Sequence, residues 1–479
     1  MKLAMVGLGR MGANMALRLT RGGHTVIGHA RHEETVQRAR DEGAIADGTT
    51  SLTELVGKLS RPRIVWLMVP AASVDQTLEE LAPLLNADDV VIDGGNSFYR
   101  DDVRRAATLR ERGIHYLDVG TSGGTWGLER GYCLMIGGEA EPVHRLTPIF
   151  TTLAPGRGSL PRTPGRENVG GTAEEGYLHC GPSGAGHFVK MVHNGIEYAL
   201  EQLIAEVYDL LRRGLGLNFD EMAEVFAGFN QGRVKSYLVE ITSHILKRRD
   251  PESGQPLVDL IKDVAQQQGT GLWTVRTALD LGVPIPTIDV AVGLRRLSAL
   301  KEEREAAAGV LPGPGPFFPG PGDRQGFIEK LGNALFASMV TTFAQGLTLL
   351  RRASEVYGYN LDLAEVVRLW RGGCIIRAAL LEEVMAACRA RPDLPNLLLD
   401  PVVGGKVTAR QGDWREVAKA AAAWGLPAPA LMASLAYLDA YRSRRLPASL
   451  IQAMRDCFGA HTYEREDSPG TFHTNWLAD

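Results

Sequence analysis

Cysteine is scarce. The 479 residues hold five, Cys133, Cys180, Cys374, Cys388 and Cys457, and no two of them form a C-x-x-C pair. That excludes a disulfide framework and a zinc ribbon, and predicts buried, inert thiols in a reducing cytoplasm. No apolar stretch runs unbroken for the roughly 20 residues of a membrane span, so no membrane partner is expected. Neither sign of charge prevails: 52 Lys and Arg against 56 Asp and Glu leave a net charge of -4, no basis for binding nucleic acid. The first residues enter a strand without a basic, apolar and cleavable leader, so a cytoplasmic protein is expected. No group of Asp, Glu and His has metal-ligand spacing, and no metal is expected.

A chain of this length suggests two or three domains. Up to about Leu178, short apolar runs (KLAMVG, HTVIGH, RIVWLMV, DVVID, GIHYLDVG) alternate with helical stretches starting near Ala13, Glu33, Leu52, Ser73 and Asp101. Such alternation predicts an α/β Rossmann-type domain over 1–178, a parallel sheet with helices on both faces. From 179 to 445 helical periodicity takes over, predicting a large all-α domain. It carries an internal duplication: MAEVFAGFNQGRVKSYL from Met222 matches LAEVVRLWRGGCIIRAAL from Leu363. The prolines and glycines of 311–322 predict a connector between the halves. Residues 446–479 read as a C-terminal tail, too polar and turn-rich to build its own core, that packs on something else.

VGLGRMG places Gly7, Gly9 and Gly12 between the first strand and a helix. A tight turn, close approach of backbone to a pyrophosphate and close helix packing each need glycine there. The free N–H groups of Leu8, Arg10 and Met11 at the helix start suit phosphate. The second strand ends Ala30-Arg31-His32, without the acidic residue that holds the ribose of NAD. Arg31 suits a 2′-phosphate, which favours NADP, with NAD possible if Arg31 is merely solvated and Glu33 or Glu34 serves the ribose. Val69, Pro70 and Ala71, after the next strand, complete the expected coenzyme contacts.

In GPSGAGHFVKMVHNGIEY, Lys190, His193, Asn194, Glu197 and Tyr198 fall at i, i+3, i+4, i+7 and i+8, one face of a helix. A solvated polar face is the bland alternative, but Asn and His are poor solubilising choices, and the glycine-rich start suits close approach. A desolvated Lys190 can accept a hydroxyl proton and return it, while Glu197 protonates carbon. Asn96 in DGGNS and the Ser122, Gly123 and Gly124 loop follow strands at the edge where such sheets bind ligands. Each loop alone reads equally well as a simple turn.

These segments, with GTGLW, GGCIIRA and RDCFGAHTY, resemble the 6-phosphogluconate dehydrogenase family over essentially the whole chain. The resemblance implies metal-independent oxidative decarboxylation of 6-phosphogluconate to ribulose 5-phosphate and CO2 with NADP. It implies a homodimer, with Lys190 as base and acid and Glu197 as acid. Asn96, Ser122, Gly123, Gly124, His193 and Asn194 would hold the reacting end of the phosphorylated sugar acid. Tyr198, Thr270 and Arg295 would hold its phosphate, joined by Arg455 and His461 from the partner subunit's tail. Gln268 and Leu272 replace two lysines of the family's pattern. The N-terminal half is more similar to the family's shorter, often NAD-linked members. Two other readings remain: a 3-hydroxyacid dehydrogenase acting on another acid, and an inactive NADPH-binding sensor.

Overall fold

Strands form where the apolar runs are. In the computed structural model, which describes residues 1–159, 162–163, 170–267, 269–314 and 323–478, eight strands make one sheet. They are β1 (Lys2–Val6), β2 (Thr25–His29), β3 (Asp47–Thr49), β4 (Ile64–Leu67), β5 (Val90–Asp93), β6 (His115–Ser122), β7 (Cys133–Gly137) and β8 (Tyr177–Gly181). Their order is β3-β2-β1-β4-β5-β6-β7-β8. Alternate side chains serve opposite faces: Leu3 and Met5 join one apolar layer, Ala4 and Val6 the other. Burial on both faces explains why these strands read as continuous apolar runs.

The sheet departs from the expected parallel one. β7 runs antiparallel to β6, and β8 parallel to β7. β3, β7 and β8 lie outside the five runs that the sequence marks, and β8 extends past 178 to Gly181. From β3 the chain crosses over β2 and β1 to β4, which opens a crevice at the carboxyl ends of β1 and β4.

Two long helices, Ala185–Asp209 and Arg324–Tyr357, pack on each other at the centre of the helical region. The repeated segments follow each of them. Asn218 and Asp362 cap the two corresponding helices through side-chain oxygens. The repeats then meet: Ser236 bridges Ala378, with Tyr237 N–H donating to Arg377 and Ala379 N–H to Lys235. The Arg324–Tyr357 helix is apolar and long enough to cross a membrane, but 89% of its most apolar window is buried inside the protein. Its Ser, Thr, Gln and Gly residues break the apolar run, so an unbroken-run criterion passes over it. Residues 315–322 of the expected connector lie outside the described residues, as does Gln268.

Candidate active site

The coenzyme crevice is built by three glycines with different tasks. Gly7 has φ +99°, and a Cβ there would stand 2.4 Å from the Met68 carbonyl. At Gly12 a Cβ would stand 2.0 Å from the Gly7 carbonyl, so only glycine lets the helix seat on the turn. At Gly9 a Cβ would meet nothing within 4 Å: it faces open space. Gly9 caps the Arg10–Arg21 helix without a side-chain hydrogen bond, leaving the first N–H groups available to a pyrophosphate. The cleft, about 630 Å³, is bordered by Gly7, Leu8, Gly9, Ala30, Arg31, Val69 and Pro70. Arg10, Met11, Gly12, His32, Ala71 and Asn96 do not border it. Thr35 and Arg38, in the first and second turns of the helix after β2, do. Sequence reasoning missed both, although helical spacing from Arg31 was a usable signal. Glu33 and Glu34 stay outside the cleft.

The Ala185–Asp209 helix, which carries Lys190 and Glu197, is anchored by a carboxylate. Asp118 of β6 accepts N–H from Gly184 at 2.7 Å and from His187 at 2.9 Å, occupying two of the helix's four free donors. Asp102 holds His187 Nδ1 at 2.8 Å. Burial opposes the charge on His187, yet Asp102 keeps its pKa raised, to about 10. The helix presses onto the sheet through glycines: a Cβ at Gly186 would stand 2.5 Å from the carbonyls of Asp118 and Met135. A Cβ at Gly120 would stand 2.3 Å from Lys190 Cβ, so the lysine stem lies directly on β6. Ser122, two residues along the same face of β6, is buried with an unpartnered hydroxyl.

Lys190 is 9% exposed. Burial lowers its pKa, partly offset by the Glu197 charge. Burial pushes the Glu197 carboxyl up to about 7, against the pull of Lys190. His193 is fully buried; burial, then repulsion from Lys190, holds its pKa well below the ordinary value, so the ring is neutral. Its Nδ1 meets Asn194 Oδ1 at 3.2 Å, while Nε2 has no hydrogen-bond partner among the described residues. Two buried, unpartnered polar atoms beside a desolvated amine are donors and acceptors in want of a ligand. Asn194 Nδ2 donates to Thr270 Oγ1 at 3.3 Å, and the Arg295 guanidinium stacks 3.7 Å above the Tyr198 ring while paired with Glu201. One helix, with β6 and the Thr270–Asp280 and Pro286–Ser298 helices, thus assembles the reacting-end and phosphate-end candidates, with Asn96 on the loop after β5. Arg455 and His461 stand apart: both are exposed on the tail, and Arg455 donates to Gln452 of its own helix.

A dinucleotide cleft on a Rossmann-type sheet, joined to a buried amine–acid pair on the first helix of an all-α region, defines a nicotinamide-dependent dehydrogenase. Residues 2–160 match the NAD-binding domain of 6-phosphogluconate dehydrogenase, and 186–476 its C-terminal domain. The chain is therefore a member of the 6-phosphogluconate dehydrogenase family. Among its relatives is the NADP(+)-dependent, decarboxylating 6-phosphogluconate dehydrogenase of Bacillus subtilis, 44% identical over 99% of both chains. The NAD(+)-dependent enzyme of the same organism is 43% identical over 99% of both. The structure of Plasmodium falciparum 6-phosphogluconate dehydrogenase, described with NADP+ and with substrate, superposes with a TM-score of 0.91 at 34% identity. It covers 99% of this chain and 100% of its own.

Proposed function

We propose that this chain oxidises and decarboxylates 6-phosphogluconate to ribulose 5-phosphate, with NADP as coenzyme, Lys190 as base and acid, and Glu197 as acid. The observation that carries the reading is the opposed protonation of the Lys190–Glu197 pair. Burial favours a neutral amine and a protonated carboxyl at once, the states a base and an acid need before reaction.

Gly7, Leu8, Gly9, Arg31, Val69 and Pro70 would hold NADP, which supplies a hydride acceptor when bound. Neutral Lys190 takes the proton of the substrate hydroxyl as it becomes a ketone. Protonated Lys190 then returns that proton to the ketone oxygen as the carboxylate leaves, serving as the electron sink. Glu197 protonates the carbon of the resulting enediol. Neutral His193, Asn194, Asn96 and the Ser122 hydroxyl orient the reacting end, and Tyr198, Thr270 and Arg295 take the phosphate.

The same reading makes the enzyme a homodimer with shared sites. Its support is the tail: helix Ala448–Gly459 carries Leu450, Met454 and Phe458 at i, i+4 and i+8, all exposed, one of them 75%. Among the described residues the three side chains lie open to solvent, the state of a surface that a partner would cover.

Steady-state assays with 6-phosphogluconate and each coenzyme test the reaction through NADPH and CO2 release. Lys190→Ala is expected to lose about 10²–10⁴ in kcat with its fold intact. Near wild-type turnover in that variant would return the stripe to a passive polar face.

A further inference from the structure

The GGCIIRA motif and the turn after β6 face each other across a cavity that the reaction above does not use. Its volume is about 300 Å³, and Gly123, Trp126, Arg130, Tyr237, Gly373 and Arg377 border it. Two guanidinium groups converge there. Arg130 lies over the Trp126 ring at 5.2 Å, and among the described residues it makes neither an ion pair nor a hydrogen bond. Arg377 lies 3.6 Å over the Tyr237 ring and donates from Nη1 to the Cys374 carbonyl at 2.8 Å, again without an ion pair among the described residues. Burial lowers the Arg377 pKa; Cys374 and Tyr237 offset part of this, repulsion from Arg130 lowers it further, and Glu240 pulls the other way. Glu129 also borders the cavity, but its carboxylate is engaged by Arg21 at 3.1 Å.

Two cations brought together without a counter-charge raise the energy of the fold, unless an anion restores it. Both forks are pre-oriented by the rings beneath them, so little side-chain freedom remains to be lost on binding. Tyr237, whose ring lies under Arg377, borders the same cavity. Planar guanidinium pairs match the oxygens of a phosphate bidentately.

We propose that this cavity is a second anion site that binds a phosphate group, free or carried by a short sugar. It shares Gly123 with the loop expected to hold the substrate carboxylate, so an occupant borders the reacting end. The Lys190→Ala protein, given NADP+ and one equivalent of 6-phosphogluconate per subunit, keeps the primary site filled with turnover slowed while leaving the second site open. Binding of 6-phosphogluconate is titrated first, so a failure of the primary site is seen separately. Inorganic phosphate and glucose 6-phosphate are then titrated by calorimetry. Uptake of inorganic phosphate identifies the free ion as a ligand, and uptake of glucose 6-phosphate alone identifies the sugar-borne group. In either case affinity is expected to fall at least about tenfold when Arg130→Gln and Arg377→Gln are added. Arg130 is exposed, so Arg130→Gln alone weakens binding without disturbing packing and guards against misfolding of the pair. If neither anion binds once the primary site is filled, or if the charge-neutral proteins bind equally well, the site does not exist.

Discussion

At the scale of single residues, burial sets the proton affinities of Lys190 and Glu197, and the charge of each partly offsets that effect in the other. On the proposed roles, turnover needs Lys190 neutral and Glu197 protonated at the start of the cycle. Rising pH strips Glu197 as it passes about 7, so turnover falls on the alkaline side. Falling pH protonates Lys190 below its lowered pKa, so turnover falls on the acid side too. The expected kcat profile is a bell, and Glu197→Gln should lose the alkaline limb along with most of its height. If Glu197→Gln kept that limb unchanged, another group would own it. Coenzyme choice is also decided by single side chains. Arg31→Ala is expected to lose at least about tenfold in NADP+ over NAD+ preference, because charge-assisted contacts to phosphate contribute about 1.5–3 kcal/mol. Arg38→Ala should lose a smaller part through the same cleft, measured as the ratio of kcat/KM values. An unchanged ratio in both variants would remove the 2′-phosphate from this end of the cleft.

Elements show what a sequence reveals and what it hides. The Ala185–Asp209 helix was legible because Lys190, His193, Asn194 and Glu197 recur at helical spacing while Val189, Val192, Ile196 and Leu200 form an apolar face. Five of the buried strands were legible as apolar runs, while β7, equally apolar and buried, and β8 were passed over. β3 was not legible, since Asp47-Gly48-Thr49 has no apolar side chain to mark it, and it pairs only with β2 at the sheet's edge. The first helix begins at Arg10 rather than near Ala13, because Gly9 itself serves as its cap. Nothing in the pattern disclosed that Asp118 would cap the Ala185–Asp209 helix or that Gly120 would seat Lys190; both depend on which strand the helix meets. Glu206, on that same helix, is a further case. Its buried carboxylate accepts the N–H groups of Ala430 and Leu431 at 2.8 and 2.9 Å, capping the Pro429–Arg442 helix. Burial wins over these bonds and raises its pKa to about 7. The folded state therefore holds this proton more tightly than the unfolded chain, and its stabilising contribution is lost as pH rises through about 7. Glu206→Gln should flatten that loss: compared by thermal unfolding between about pH 5 and pH 8, the variant gains on the wild type as pH rises. A constant difference would mean that Glu206 stays ionised throughout.

For the whole molecule, the tail decides whether one chain makes a complete site. The sequence marked it as unable to form an apolar core, and among its described residues Asp456 alone is buried. Burial would raise that carboxyl's pKa, but bonds from His473, the Thr474 N–H, the Trp476 indole and the Thr462 N–H hold it well below the ordinary value. A carboxylate thus ties helix Ala448–Gly459 to the Tyr463–Glu464 and Thr471–Phe472 hairpin, leaving the apolar side chains outside. Such a hook keeps its shape while presenting Leu450, Met454 and Phe458 to another surface. In the proposed dimer, two-fold symmetry would have each tail bring Arg455 and His461 to the other subunit's site. Lys190→Ala and Arg455→Ala homodimers should each be nearly inactive, the second through weak substrate binding. Refolded together, random pairing gives about half heterodimers, each with one intact site of two, so roughly a quarter of wild-type activity should return. If each tail served its own chain, every site would carry one lesion. Heterodimers would then form, as seen by mass spectrometry, without any recovery of activity.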